Sequence, residues 1–209
     1  MEEAHEELLN VYDATGAVVG ARPRREAKAS GLAVGAVNLL LANGAGEVLL
    51  QRRPADKENG GRWDKSVGGH VSAGETFDQT AVREAGEELF DDGSCSRVHL
   101  AGDEAMYREL LAGGAPRQGV VFRRAALRLN LRDVRVARGG GLKNVLYHVA
   151  IYRGRTDLPL EAFRPQASEI ADLRYFAPEA VDRMLLAGEL APNMAFLWLA
   201  EGHALLGEG

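Results

Sequence analysis

Only one cysteine, Cys95, occurs among the 209 residues. A lone cysteine closes no intrachain disulfide and builds no zinc cluster, so a disulfide scaffold is excluded and a reducing compartment is expected. Long apolar runs are missing as well. The most apolar stretch, Leu32 to Ala42, is broken by Gly35 and Asn38 and falls far short of the roughly 20 residues that span a bilayer. Met1 to Glu7 is acidic and lacks the basic-then-apolar order of a signal peptide. There is no excess of positive charge: the formal net charge is −5, which argues against nucleic acid or an anionic membrane as partners. No internal repeat or long low-complexity tract is found. A cytoplasmic location is the expectation. What remains is an ordinary globular composition, 46% hydrophobic and 26% charged, which argues against a chain disordered throughout. At about 100–200 residues per domain, this length suggests one domain, able to bury a core without staples.

Hydrophobic patterning then divides the chain. Leu8 to Asp13 reads as a strand, Ala14-Thr15-Gly16 as a turn, and Val18-Val19 as the start of a returning strand. Arg22 to Lys28 is a basic stretch read as a solvated loop. Val34 to Leu41 is a buried strand, and Val48 to Arg52 its hairpin partner across Asn43-Gly44-Ala45-Gly46. Trp63 to Val71 reads as a strand passing into a tight loop at Gly68-Gly69. Thr76 to Phe90 is the clearest helix, with Ala81, Ala85 and Leu89 four residues apart. Further helices are expected over Asp103 to Leu111, Pro178 to Leu186 and Pro192 to Leu206, the last two with proline near the first turn. Gly119 to Asn130, Asn144 to Tyr152 and Ile170 to Phe176 are strands, with Gly139-Gly140-Gly141 as a turn. Strands interleaved with helices predict an α/β layered domain.

The chemistry concentrates in residues 69–91, GHVSAGETFDQTAVREAGEELFD. Glu84, Glu87 and Glu88 stand at i, i+3 and i+4, which places three carboxylates on one helix face. Clustered like charges oppose one another's ionisation. A cation lying among them would relieve that repulsion, and hard oxygen ligands suit Mg²⁺, with Mn²⁺ as the alternative, better than zinc. Mg²⁺ commonly completes its shell with substrate phosphate oxygens, so the pattern points to metal-assisted chemistry on a phosphate ester or anhydride. An isolated ExxEE is more often a solvated acidic face. Here the flanking residues decide.

The stretch resembles the Nudix box, G-x5-E-x7-R-E-U-x-E-E-x-G-U, where U is a bulky aliphatic residue. Gly69, Glu75, Arg83, Glu84, Glu87 and Glu88 fill its fixed positions, while Phe90 stands in place of the last glycine and Asp91 in place of the last aliphatic residue. Gly93 is the residue expected to end the helix instead. The similarity extends to Gln51-Arg52-Arg53, Lys57, Gly61, Trp63-Asp64, Ser66 to Val71 and Ala73-Gly74-Glu75, a pattern similar to the Nudix branch that includes isopentenyl-diphosphate isomerase and its hydrolase-like relatives. The Val11-Tyr12-Asp13 segment and Leu173 to Phe176 fit as well. The resemblance covers residues 8–91 and 144–180. It implies an α/β/α sandwich, a mixed sheet between helices, with an N-terminal β-hairpin. The whole of 1–209 is expected to form one such domain, with 1–30 as an N-terminal extension, 92–143 as an insertion and 178–206 as C-terminal helices.

The resemblance also assigns roles. Glu84, Glu87 and Glu88 would hold the metal together with the carbonyl of Gly68, and Glu75 and Arg83 would pair to orient them. The implied reaction is hydrolysis of a phosphoanhydride in a nucleoside di- or triphosphate or a nucleoside diphosphate derivative, with water as nucleophile. A monomer or homodimer acting on a small diphosphate is expected. Arg52, Arg53 and His70 are the substrate-binding candidates, Lys57 and Lys65 being further cations near them. Glu104, Glu109, Glu161 and Glu169 are base candidates outside the box. Trp63, Tyr107, Phe122, Tyr147 and Tyr152 could stack on a nucleobase, though each suits a core equally. The isomerase reaction would require a cysteine just before the Gly-His pair, where Gly68 stands. It would also require histidines where Ala27 and Val34 stand, and glutamates near Asn144 to Leu146, where there are none. A nucleotide-sensing module without catalysis is the other alternative, and such a module would be expected to lose the carboxylates that this chain keeps.

Overall fold

The computed structural model describes residues 6–91, 93–136 and 141–202. Its framework is a mixed sheet built on β3 (Ala33–Ala42). Along one edge, β9 (Leu142–Arg155) runs parallel to β3 over its whole length. The other edge is shared by three antiparallel partners in succession. These are β1 (Leu8–Tyr12) at Ala33 and Val34, β6 (Val67–His70) at Ala36 to Leu39, and β4 (Val48–Arg52) at Leu41 and Ala42. The path β10-β4-β3-β9-β8-β7 completes the order, where β7 is Val98–Ala101, β8 Val120–Val136 and β10 Asp172–Phe176. β2 (Val18–Pro23) pairs with β1, and β5 (Trp63–Asp64) with β4.

The continuous apolar run in β3 follows from burial on both sheet faces. Leu39 and Leu41 pack with Leu49, Val67, Ala150 and Tyr152 under helix α2 (Phe77–Phe90), which supplies Ala81, Ala85 and Leu89. Leu40 turns the other way with Leu50 and Ile151, against Val181 and Met184 of α4 (Pro178–Leu186) and Met194 of α5 (Pro192–Leu197). This is the expected α/β/α sandwich with its N-terminal hairpin. Where β3 parts from β4, the buried Ser66 hydroxyl accepts from the Leu41 N–H (2.8 Å) and donates to the Leu49 carbonyl (2.5 Å). That bridge ties the loop preceding β6 into the sheet.

Several expectations are corrected. Arg24 to Ala29 is a helix, α1, rather than a loop. Pro23 fixes its entry, Glu6 and Glu7 accept from the Arg25 and Arg24 N–H groups (2.9 and 2.8 Å), and Ala27 is buried against Leu9, Val11 and Val34. The strands over 120–136 and 142–155 extend well beyond their expected ends, and β7 and the short β5 were not anticipated as separate strands. After α5 the chain forms a π-helical turn, Trp198–Gly202, rather than continuing as α-helix. Gly139, Gly140, Asp92 and the end of the last expected helix, beyond Gly202, lie outside the described residues. Within 92–143, helix α3 (Glu104–Ala112), capped by the Asp103 side chain on the Met106 N–H, and strands β7 and β8 add to the sheet edge. Among the described residues no helix is long and apolar enough to cross a membrane.

Candidate active site

Helix α2 is set in place by a reciprocal cap. Thr76 Oγ1 accepts from the Gln79 N–H (3.2 Å) and Gln79 Oε1 from the Thr76 N–H (2.8 Å), satisfying two orphan donors of the first turn. Asn10 of β1 steadies the preceding turn, donating to the Glu75 carbonyl (2.9 Å) and accepting from the Gly74 N–H (3.1 Å). At its other end the helix closes on Asp91, whose φ of 47° and ψ of 38° are left-handed. Asp91, not Gly93, therefore ends the helix. Phe90 remains helical and buried, stacked on Phe163 at 5.6 Å between centroids. The Arg164 and Gln166 N–H groups cap the carbonyls of Leu89 and Glu88 (2.8 and 3.2 Å).

The helix presents its polar face to the Gly68-Gly69 end of β6. A Cβ on Gly69 would stand 2.0 Å from Glu84 Oε1, so only glycine lets that carboxylate approach the strand. Arg83 organises one flank. Its guanidinium reaches Glu75 (2.8 and 3.1 Å), Glu84 (3.1 Å) and Glu87 (2.9 Å). Thr80 Oγ1 donates to Glu75 as well (2.7 Å). Burial pushes the Glu75 carboxyl up, but the Arg83 and Thr80 bonds outweigh it and hold the group below the ordinary range. Glu84 is raised, by burial first and by Glu87 beside it, against the pull of Arg83.

The other flank is dry. Glu88 is 7% exposed, and its Oε2 accepts from Gln51 Nε2 (3.1 Å) and from the Gly68 N–H (3.3 Å). Burial and the neighbouring Glu84 push its carboxyl up to about 8. Two further ionisable groups lie buried beneath: Asp64, which receives Arg53 at 2.9 Å, and Lys65, whose Nζ stands 3.3 Å from Asp64. Burial alone would raise the Asp64 carboxyl, but Lys65 and Arg53 keep it low.

Among the described residues no three His, Cys, Asp or Glu side chains already converge as a cation cage, and Arg83 holds Glu84 and Glu87 on its own flank. The donor chemistry nonetheless fits a hard divalent ion. Glu84 and Glu88 are carboxylates one turn apart, and Glu88 is buried beside a like charge that a cation would offset.

A family model described as the NUDIX domain matches residues 32–107. The match takes in the whole constellation of Gly68, Glu75, Arg83, Glu84, Glu87 and Glu88. Over 94 residues it is 40% identical to a Nudix hydrolase of Pseudomonas aeruginosa, itself described as uncharacterized, covering 44% of this chain and 56% of that protein. A second such protein, from Nostoc, is 34% identical over 104 residues, 49% of this chain and 62% of its own. The matched stretch thus spans roughly half of each relative it is compared with. In fold the chain is similar to the crystal structure of DR0079 from Deinococcus radiodurans, with a TM-score of 0.61 and 24% identity over 91% of this chain and 96% of that one.

The structure brings Glu75, Arg83, Glu84, Glu87, Glu88 and Gly68 into one constellation. The other expected site residues divide. Arg53 lies just past the end of β4 and is engaged by Asp64 and by the Glu58 carbonyl (2.7 Å). Arg52 is exposed and donates to the Gly61 carbonyl (2.9 Å). The β4 residue turned toward the box is their neighbour Gln51. His70 lies at the end of β6 with its ring 6.1 Å from that of Tyr147. Among the base candidates, Glu169 is paired with Lys57 (2.7 Å), Glu104 with Arg108, Arg123 and Arg153, and Glu161 sits in an exposed 3-10 turn. Tyr107, Phe122 and Tyr152 are core residues, and Trp63 packs on Phe176. Sequence reasoning missed Gln51, Asp64, Thr80 and Asn10 as supports of the site, and took Lys65 for a further phosphate-binding cation, whereas it is buried and paired with Asp64. Strand alternation from Leu49, which faces α2, was the one signal that could have found Gln51.

Proposed function

We propose that the protein is a divalent-metal-dependent hydrolase of phosphoanhydrides, acting on a nucleoside di- or triphosphate or a nucleoside diphosphate derivative with water as nucleophile. The observation that carries this reading is Glu88, a carboxyl buried beside Glu84 on the box helix and raised to about 8. A buried acid next to another acid is costly unless a cation belongs there. Glu84 and Glu88 would hold Mg²⁺ or Mn²⁺, with Glu87 and the Gly68 carbonyl as further donors. The bound metal would polarise phosphate oxygens and offset charge on the leaving group.

The chain's own groups do the rest. Arg83 and Glu75 fix the orientation of Glu84 and Glu87. Gln51 and the Gly68 N–H fix Glu88. His70, Arg52 and Arg53 are the side chains proposed to meet the substrate. For Arg53 this requires release from Asp64, so Arg52 and His70 are the stronger assignments. A kinship with the branch of isopentenyl-diphosphate isomerase extends this reading to the fold lineage, not to the isomerase chemistry. Ala27 and Val34 are packed in an apolar cluster where that chemistry would need ligands.

The test is release of phosphate and pyrophosphate from a panel of nucleotides, nucleotide sugars and dinucleotides with Mg²⁺, comparing wild type and Glu88→Gln. Turnover by the wild type that collapses in the variant supports the hydrolase and shows its substrate class. Equal turnover by both would refute the metal assignment. Ligand binding without turnover would make the chain a sensing module.

A further inference from the structure

One polar residue interrupts the apolar run of the central strand. Asn38 stands in the middle of β3, and by alternation it faces away from α2, on the side of Ala36 and Leu40. Its neighbours in register are Gly68 of β6 and Ile151 of β9. Ile151 offers no polar atom from its side chain. Gly68 has no side chain, and the Lys65 stem that crosses it directs its ammonium to Asp64. Asn38 is half-buried, yet among the described residues its amide makes no hydrogen bond. Asn10 of β1 is the contrast, since its amide holds the Glu75 carbonyl and the Gly74 N–H. Asparagine is disfavoured in strands, and an amide drawn partly out of water without a partner destabilises a fold. Packing gives no reason for an amide at position 38, where valine would suit the strand better. The surrounding sheet is open: Ala36, Gly68, His70 and Tyr147 are half-buried, whereas Leu40 and Ile151 are covered by α4 and α5. His70 pairs with Ala36 and so shares the face of Asn38, and its ring lies 6.1 Å from that of Tyr147.

We propose that Asn38 reads the base of the substrate, its amide pairing with the edge of a nucleobase laid on this face of the sheet beside Tyr147 and His70. This rests on the hydrolase reading above and narrows it to substrates that carry a base. An asparagine amide presents one acceptor and one donor side by side. A base edge that offers the complementary pair can engage both at once, as adenine does with asparagine in nucleic-acid recognition. A base-free diphosphate has no such edge and would leave the amide as it stands. The placement suits the phosphate end as well. Neighbouring strands lie about 4.8 Å apart, so Asn38 is one strand away from Gly68, whose N–H donates to Glu88. With phosphates at the carboxylates and the base over β3, the ribose would cross Gly68.

The test compares substrates that share a phosphate chain and differ only in base. With the full chain and Mg²⁺, kcat/KM is measured for the adenine, guanine, cytosine and uracil nucleoside di- and triphosphates, in wild type, Asn38→Ala and Asn38→Asp. Wild type should favour one base over the poorest by about ten-fold or more. Asn38→Ala should lose about ten- to a hundred-fold on the favoured base and little on the poorest, so that the spread collapses. Asn38→Asp only accepts, so relative to Asn38→Ala it should favour guanine, whose N1–H and N2–H donate together. Damage to the sheet would instead lower all bases by one factor. A spread that survives in Asn38→Ala overturns the proposal. Equal turnover of every base by wild type overturns it too, and leaves the hydrolase reading standing. Wild-type turnover of an alkyl diphosphate and of no nucleotide overturns both the base contact and the nucleotide substrate. Without ligand, Asn38→Val should unfold at a higher temperature than wild type, because the fold loses no partner. A lower midpoint would mean that the amide serves the fold, and would overturn the proposal. Should Asn38→Ala not fold, or wild type turn over nothing, wild type with ¹⁵N-labelled asparagine decides. One side-chain amide should shift with a nucleoside monophosphate and not with inorganic phosphate. That shift without any turnover would sink the hydrolase reading alone, and no shift would overturn the proposal.

Discussion

On the rim of the site, Glu75, Glu84 and Glu87 share the guanidinium of Arg83, and Glu87 keeps 43% of its side chain exposed. On the floor, one residue further along the same helix, Glu88 is 7% exposed and receives the amides of Gln51 and Gly68. Rim and floor use the same carboxyl chemistry with opposite results. Glu75 is held below its ordinary range by donors that need its charge. Glu88 is raised to about 8 by burial and a like-charged neighbour. On the rim Arg83 already offsets part of the carboxylate charge, whereas on the floor Glu88 is buried beside a like charge that a metal would offset.

Breaking the floor should have the largest effect. Glu88→Gln keeps the shape and an oxygen for Gln51 and Gly68 but removes the charged ligand, and turnover should fall roughly a thousand-fold. Stability should move the other way. The wild-type carboxyl ionises near 4.5 when unfolded and near 8 when folded, so with metal absent its contribution falls as pH rises from about 4.5 to 8. Glutamine carries no such cost. In chelator the variant should match wild type near pH 4 and exceed it at pH 9, which thermal unfolding at the two pH values checks. A variant less stable than wild type at pH 9 would mean that the floor is not strained.

Breaking the rim should cost less. Glu75→Gln removes the charge that Arg83 grips by two bonds, leaving Arg83 on Glu84 and Glu87. Losing a group that orients ligands typically costs about 10–100-fold in activity or metal affinity. A loss equal to that of Glu88→Gln would erase the distinction between rim and floor.

The floor also predicts a pH dependence that the rim does not. Metal must displace the proton from Glu88, so apparent Mn²⁺ affinity should rise about ten-fold per pH unit between roughly 6 and 8, then flatten. Calorimetric titration in buffers of different ionisation enthalpy should count one proton released per ion at pH 7. Proton-free binding across that range would place the metal away from Glu88.

The rim was legible in the sequence and the floor was not. Glu75, Arg83, Glu84 and Glu87 are fixed by spacing along one helix and the turn before it, so a local pattern is enough. Glu88 was visible as a ligand, but its setting depends on Gln51 from β4 and on the Gly68 N–H of β6. Those contacts join residues up to 37 positions apart. Lys65 looks like any surface lysine until its stem is seen lying on Gly68. The same holds for the fold. Strands β3 and β4 and helices α2, α3 and α4 follow from their own periodicity, to within a residue or two at the ends. Helix α1 buries only Ala27 among its six residues and gave no apolar repeat to read. The long parallel ladder between β3 and β9 joins segments more than a hundred residues apart, and neither segment's own sequence announces it.

The end of the box helix carries the smallest effect and a sharp one, because there the sequence departs from the family pattern. Where the box has glycine this chain has Phe90, a helical residue whose ring is packed on Phe163 and covered by the Arg97 guanidinium at 4.6 Å. The left-handed residue is displaced by one position to Asp91, whose N–H donates to the Glu87 carbonyl at 3.1 Å. A β-carbon is disfavoured in that conformation and glycine is not. Asp91 is exposed and its side chain takes no part in the site. Asp91→Gly should therefore raise stability by about 0.5 kcal/mol, the relief of strain being partly offset by the greater freedom glycine has in the unfolded chain. Urea midpoints measure this, with turnover unchanged. If the substitution instead lowered both stability and turnover, the aspartate side chain would be holding the helix end in a way that its backbone angles do not express, and the rim would extend one turn further than Arg83 reaches.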